Sequence, residues 1–194
     1  MKVMTFDTFP LFPLSAHLMP GGRLALRIFE PRYVRMVKEA CANGTGFGIC
    51  MLNPKGDKLK NEHIYPIGTY ATVVDFDRLD DGLLGITVEG QRCFKISDIQ
   101  TQEDGLRVGK CEWLENWHNP TRADNLDLAR LRLQEIFDKY NELNKLYSQP
   151  QFDQALWVIY RWLELLPVGA EQKQVLLADK DCVNAMRFLT QLVE

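Results

Sequence analysis

One stretch, Phe9 to Tyr33, sets the terms for the rest of this chain: FPLFPLSAHLMPGGRLALRIFEPRY. Its Pro20-Gly21-Gly22 triplet demands a tight turn, because proline presets its own φ and glycine enters positive-φ backbone without steric cost. In the RLALRI segment that follows, Leu24, Leu26 and Ile28 alternate with Arg23, Ala25 and Arg27. A period of two puts the apolar set on one face of a strand. Glu30-Pro31 then ends the strand and opens a helix. Proline fits the first helical turn, where its missing N–H has no use, and the Glu30 carboxylate is expected to face the positive end of the helix. Upstream, the apolar run reads as broken by Pro10 and Pro13.

From Pro31 to Asn43 the spacing predicts a helix: Val34, Val37 and Cys41 recur at steps of three and four, and Asn43-Gly44 is a suitable stop. GFGICML (46–52) reads as a compact apolar strand, and NPKGDKLKNEH (53–63) as an exposed loop. The block from Ile67 to Ile96 is β-rich. IGTYATVVDF and LLGITVEGQRCFKI flank the RLDDG turn signal and predict an antiparallel hairpin whose second arm bends at Gly90. A further strand follows Gly105.

After Asn119-Pro120 the pattern changes period. Leu126, Ala129, Leu133, Ile136, Tyr140, Leu143 and Tyr147 predict one long amphipathic helix from Ala123 to Tyr147. A second is expected over Phe152–Leu166, with Trp157, Tyr160 and Trp162 spread around it, and two more over Glu171–Ala178 and Asp181–Val193. The expected division is a β-rich domain, 1–118, and a helical subdomain, 119–194.

PLFPL followed by PGGRLALRIFEPRY resembles the opening of the amino-terminal, substrate-binding domain of the ATP-dependent Lon protease. Pro20, Gly21, Arg27, Glu30, Pro31 and Tyr33 carry the match. Two later segments are similar as well. Gly68-Thr69-Tyr70-Ala71 and Glu89-Gly90-Gln91-Arg92 answer the family's "G-T-x-A … EG-x-x-R", with one residue, not two, between Gly90 and Arg92. Lys173-Gln174-Val175-Leu176-Leu177 answers its "KQ-x-LL" helix. The resemblance implies an α+β fold: a PUA-like pseudo-barrel β-domain with one inserted helix, then a C-terminal α-helical bundle. It also implies non-catalytic recognition of unfolded or degron-bearing polypeptide, in the manner of an adaptor in protein quality control, with any protease supplied in trans.

Composition narrows the alternatives. With 46% hydrophobic and 25% charged residues the chain has the make-up of an ordinary globular protein, and a net charge of −3 supplies no global basic field for nucleic acid or acidic membranes. No apolar run reaches the length of about 18–20 residues that spans a bilayer. MKVMTFDTFP lacks a long apolar core, so no signal peptide is expected. Five scattered cysteines without a CxxC pair read as reduced, mostly buried thiols, which places the protein in the cytoplasm.

Catalytic machinery is not visible. Gly105 to Cys111 has the wrong spacing for a phosphate-binding loop, and GTGFG (44–48) precedes a strand where a phosphate cradle would open a helix. His17, His63 and His118 are far apart and read as surface or turn residues; none of the three serines lies in GxSxG. Neither the ATPase nor the Ser–Lys protease segment of Lon is recognisable. No enzyme activity, cofactor or metal is expected, and binding would be ATP-independent.

Two binding surfaces follow. The first is an apolar groove for extended peptide between the β-rich and helical halves, lined by Phe12, Met19, Phe29 and Trp157. The second is a basic patch, Arg23, Arg27, Arg32 and Arg35, which would make the protein a PUA-like RNA binder. Against the patch stands a structural role for Arg27 and Glu30, bonding to backbone at the strand–helix junction. A small-molecule hydrolase on a borrowed fold is the third reading; it needs a pocket with a Cys–His or Ser–Lys contact.

Overall fold

The computed structural model describes residues 4–122 and 126–193. The chain is α+β, and its internal contacts divide it into two compact units, Met1–Leu114 and Glu115–Glu194.

The first unit holds six strands and one helix: β1 (Phe6–Leu14), β2 (Arg23–Ile28), α1 (Pro31–Asn43), β3 (Phe47–Leu52), β4 (Ile64–Arg78), β5 (Leu84–Thr101) and β6 (Arg107–Trp113). The strands pair in the order β2-β5-β4-β3-β1-β6, and β6 pairs again with β5. The ladder β5-β4-β3-β1-β6 therefore returns to its own start. This is possible because β5 is long enough to hold different neighbours along its length. Its residues 84–89 face β2, and 94–101 face β6.

The run that the prolines were expected to break is one continuous strand, β1. It pairs antiparallel to β6 from Phe6 to Leu11 and parallel to β3 from Leu11 to Leu14. Tertiary pairing overrides the local breaker here, and the switch of partner at Leu11 separates the two prolines. Helix α1 has the expected bounds. Gly44 ends it at φ 62°, in the left-handed region where a side chain is strained. Glu30 is its N-cap residue but makes no side-chain cap bond; its carboxylate turns to Arg32 instead, 2.9 Å away.

Two apolar clusters fill this unit. Phe12, Ile28, Tyr33, Met36, Val37, Phe47, Val88 and Leu106 belong to the one beneath α1; Phe9, Leu11, Cys50, Phe94 and Cys111 belong to the other. Phe9 sits edge-on to both Tyr70 and Phe94, each 5.0 Å away between ring centres.

The second unit contains α2 (Leu126–Lys139), α3 (Asn141–Lys145), α4 (Ala155–Leu165), α5 (Ala170–Leu177) and α6 (Val183–Val193). The single long helix expected to reach Tyr147 is interrupted at Tyr140 (φ −108°, ψ 89°), and its expected start, 123–125, lies outside the described residues. The backbone leaves the helix at Tyr140 and α3 restarts at Asn141, so the apolar period runs on across a break that spacing alone does not register. Helix α2 packs against α4 and α6. Trp157, Tyr160 and Trp162 are all buried around α4, and the indole of Trp162 donates to the Ala129 carbonyl at 2.9 Å.

Candidate functional site

The turn at Pro20-Gly21-Gly22 is fastened to the middle of β5. Gly21 N–H donates to the Gly90 carbonyl (2.8 Å), and Gly90 N–H donates to the Gly22 carbonyl (2.9 Å). Beside this clasp Arg23 pairs with Glu89 at 2.7 Å, and Thr69 Oγ1 donates to the Leu18 carbonyl at 2.7 Å. Arg92 donates to the Leu114 carbonyl at 3.0 Å and lies over the Trp113 ring. Gly68 is a site of close approach as well: a Cβ there would come within 2.6 Å of the Ile49 carbonyl oxygen. Segments that are distant in sequence but share the family resemblance thus meet at one junction, where they set the course of β2 and the entry to α1.

That course encloses a cavity of about 310 Å³ in the first unit. Its walls come from the end of β1 (Phe12–Leu14), the end of β2 (Leu26–Ile28), the start of α1 (Phe29–Tyr33), Lys58 and His63 of the connecting loop, and Arg107 at the start of β6. Phe12 and Tyr33 pack with ring centres 4.1 Å apart and planes tilted by 37°. Phe29 is 67% exposed, a large apolar ring at the rim.

The polar side of the cavity is cationic. Arg32 is answered by Glu30, and Arg27 by Asp81. Arg107 bonds only neutral oxygens, those of Asn61 (3.1 Å), Gly105 (3.1 Å) and Lys58 (3.2 Å). No acid pairs with Arg107 or Lys58 among the described residues.

Between them lies His63. It was expected in an exposed loop; its side chain is 4% exposed, and Nδ1 has no hydrogen-bond partner. A buried polar atom left unsatisfied costs about 1–3 kcal/mol. Burial, then Arg107, Lys58 and Arg32, hold its pKa below the ordinary histidine value and keep the ring neutral. Sequence reasoning missed His63 because loop composition hides burial. The cue available was the apolar Ile64-Tyr65 immediately after it.

Of the four residues expected to line a groove, two share a cavity within the first unit. Phe12, though buried, and Phe29 line this one cavity. Met19 is fully buried. Trp157 is buried in the second unit, edge-on to Tyr147 and Phe152 and 5.8 Å from Phe137 between ring centres.

The arginine patch is largely neutralised. Besides the pairs already named, Arg35 meets Asp104 (2.8 Å) and Glu39 (3.2 Å). Arg27 and Glu30 bond side chains, where backbone was expected: Arg27 pairs with Asp81, and the Glu30 side chain pairs with Arg32. The Glu30 main-chain carbonyl does cap the first turn of α1 through Tyr33 and Val34 N–H.

Nor do the buried thiols Cys50, Cys93 and Cys111 suit nucleophilic chemistry. Burial pushes Cys93 up to about 11 and Cys111 up to about 12, and raises Cys50 further. Among the described residues no group of three or more His, Cys, Asp or Glu could hold a metal ion.

Residues 8–194 match the profile of the ATP-dependent protease La (LON) substrate-binding domain, almost the whole chain. The chain belongs to the Lon substrate-binding domain family. The Lon protease of Parabacteroides distasonis is 26% identical over 182 residues, covering 88% of this chain and 22% of that protein. This Lon-type chain therefore spans about a fifth of that curated relative.

The crystal structure of a Lon N-terminal domain protein from Xanthomonas campestris superposes with a TM-score of 0.74 at 29% identity, covering 95% of this chain and 98% of that one. The N-terminal domain of a Mycobacterium avium complex Lon protease superposes at 0.66 with 15% identity, covering 96% and 98%, and so shares the fold. The clasp and the cavity both lie within the Lon-matched span. No described helix is long and apolar enough to cross a membrane.

Proposed function

We propose that this chain binds unfolded or degron-bearing polypeptide without ATP, as a recognition module in cytoplasmic protein quality control, and hands it to a protease acting in trans. The observation that carries the reading is the aromatic cavity of the first unit, set by the segments that place the chain in the Lon substrate-binding family. An exposed Phe29 beside a buried Phe12 offers the apolar anchor that peptide recognition needs. We take the β-rich domain expected over 1–118, whose first 114 residues form the first unit with its self-closing ladder, as a PUA-like pseudo-barrel, and the helices of 119–194 as a bundle.

Anisotropy titration of the purified chain with a labelled, permanently unfolded model protein tests this. Binding is expected to tolerate salt, and Phe29→Glu is expected to weaken it about tenfold, the scale of losing one interface anchor. Equal binding by the variant would remove the cavity from the reading. The RNA reading has less support, because each of its four arginines faces a carboxylate.

A further inference from the structure

Two features of the cavity are unexplained by apolar anchoring alone. The first is the pair of cations, Lys58 and Arg107, that no described acid answers. The second is the buried His63 ring, whose Nδ1 has no partner although it lies among them. Phe12, Phe29 and Tyr33 line the same space. A ligand complementary to this wall carries one delocalised negative charge, accepts a hydrogen bond and presents hydrocarbon a few ångströms away.

We propose that the cavity takes the last residue of a polypeptide when that residue is apolar, its free α-carboxylate set against Lys58, Arg107 and His63 and its side chain against Phe12, Phe29 and Tyr33. A carboxylate and a hydrocarbon side chain share one carbon only at a chain terminus. An internal Asp or Glu would bring the charge without the apolar group. A volume of about 310 Å³ holds one large residue with its carboxylate. With its proton on Nδ1 the neutral imidazole donates to one carboxylate oxygen, which satisfies the buried atom. Lys58 supplies a mobile point charge from the loop, and Arg107 is held in place by its bonds to Asn61 and Gly105.

The inference rests on the polypeptide reading above, and the test separates the two. Labelled peptides of about ten residues ending in Phe-Leu are titrated into the full chain, one as the free acid and one as the C-terminal amide. The free acid is expected to bind at least about tenfold more tightly, the worth of one charge-assisted hydrogen bond. Lys58→Gln, an exposed position where folding is not at stake, is expected to narrow that gap several-fold, and His63→Gln to do the same. Equal affinity of acid and amide, with the unfolded model protein still bound, overturns the terminus assignment and leaves polypeptide recognition standing. Failure of both peptides and of the unfolded protein overturns both. Displacement of the free acid by millimolar inorganic phosphate, at unchanged ionic strength, makes the cavity a general anion site and also overturns the assignment.

Discussion

Gly21 and Gly90 are 69 positions apart in the chain and share a 2.8 Å hydrogen bond, Gly21 N–H to Gly90 C=O. The reciprocal contact from Gly90 N–H to Gly22 makes the junction a short piece of two-stranded ladder. It explains why glycine stands on both sides. Gly21 adopts φ 77°, and a Cβ on Gly90 would lie 2.4 Å from the Met19 carbonyl oxygen.

Gly90→Ala is therefore expected to destabilise the first unit by about 1–3 kcal/mol, the usual cost of forcing atoms into a packed site. The obstacle is backbone, which cannot swing aside as a side chain would. Urea unfolding, paired with amide exchange across β2 and β5, measures the loss. An unchanged midpoint would show that the clasp can open by this much at no cost.

His63 predicts a dependence on pH. Its folded-state pKa lies below the ordinary 6.5, so between those two values the unfolded chain binds the extra proton and the folded chain does not. Stability should fall as pH drops below about 6.5 and stop falling once pH is below the folded pKa. Comparing chemical denaturation at pH 7.5 and pH 5, the native chain should lose more stability than His63→Gln. Parallel losses in the two proteins would place the pH dependence on other groups.

In the second unit Arg161 is 1% exposed and pairs with Glu164, with its guanidinium 5.1 Å from the centre of the Trp157 ring. Lys173 is buried in the same unit; burial lowers its pKa to about 8, against the pull of Glu164 in the other direction. Glu164→Gln removes the carboxylate that answers a buried cation. A cost of about 3–5 kcal/mol is expected, far above that of a surface pair. A loss under about 1 kcal/mol by urea titration would mean that water reaches the guanidinium.

Four of the five cysteines are buried, and Cys41 is exposed. A small disulfide reagent at neutral pH should modify one thiol quickly in the folded protein and all five after denaturant is added, with Cys41→Ser abolishing the fast phase. Rapid reaction of two or more thiols in the native chain would show that one of the clusters opens.

Much of this was readable in advance because it is decided locally. The bounds of α1 follow from a proline at its start and Asn43-Gly44 at its end, and the course of β2 follows from the alternation in RLALRI. Three matters were decided only by tertiary structure. Pro10 and Pro13 lie in a strand because β1 changes partner between them, and the identity of a strand's neighbours is not written in the strand. His63 is buried because β1, α1 and Arg107 close over a loop whose own composition is polar. The arginines that looked like a patch are ion pairs, since Asp81, Glu89 and Asp104 reach them from 54 to 69 positions away. Charge and period are properties of a segment and can be read from it. Burial and pairing belong to the space between segments, and only the closed sheet creates that space.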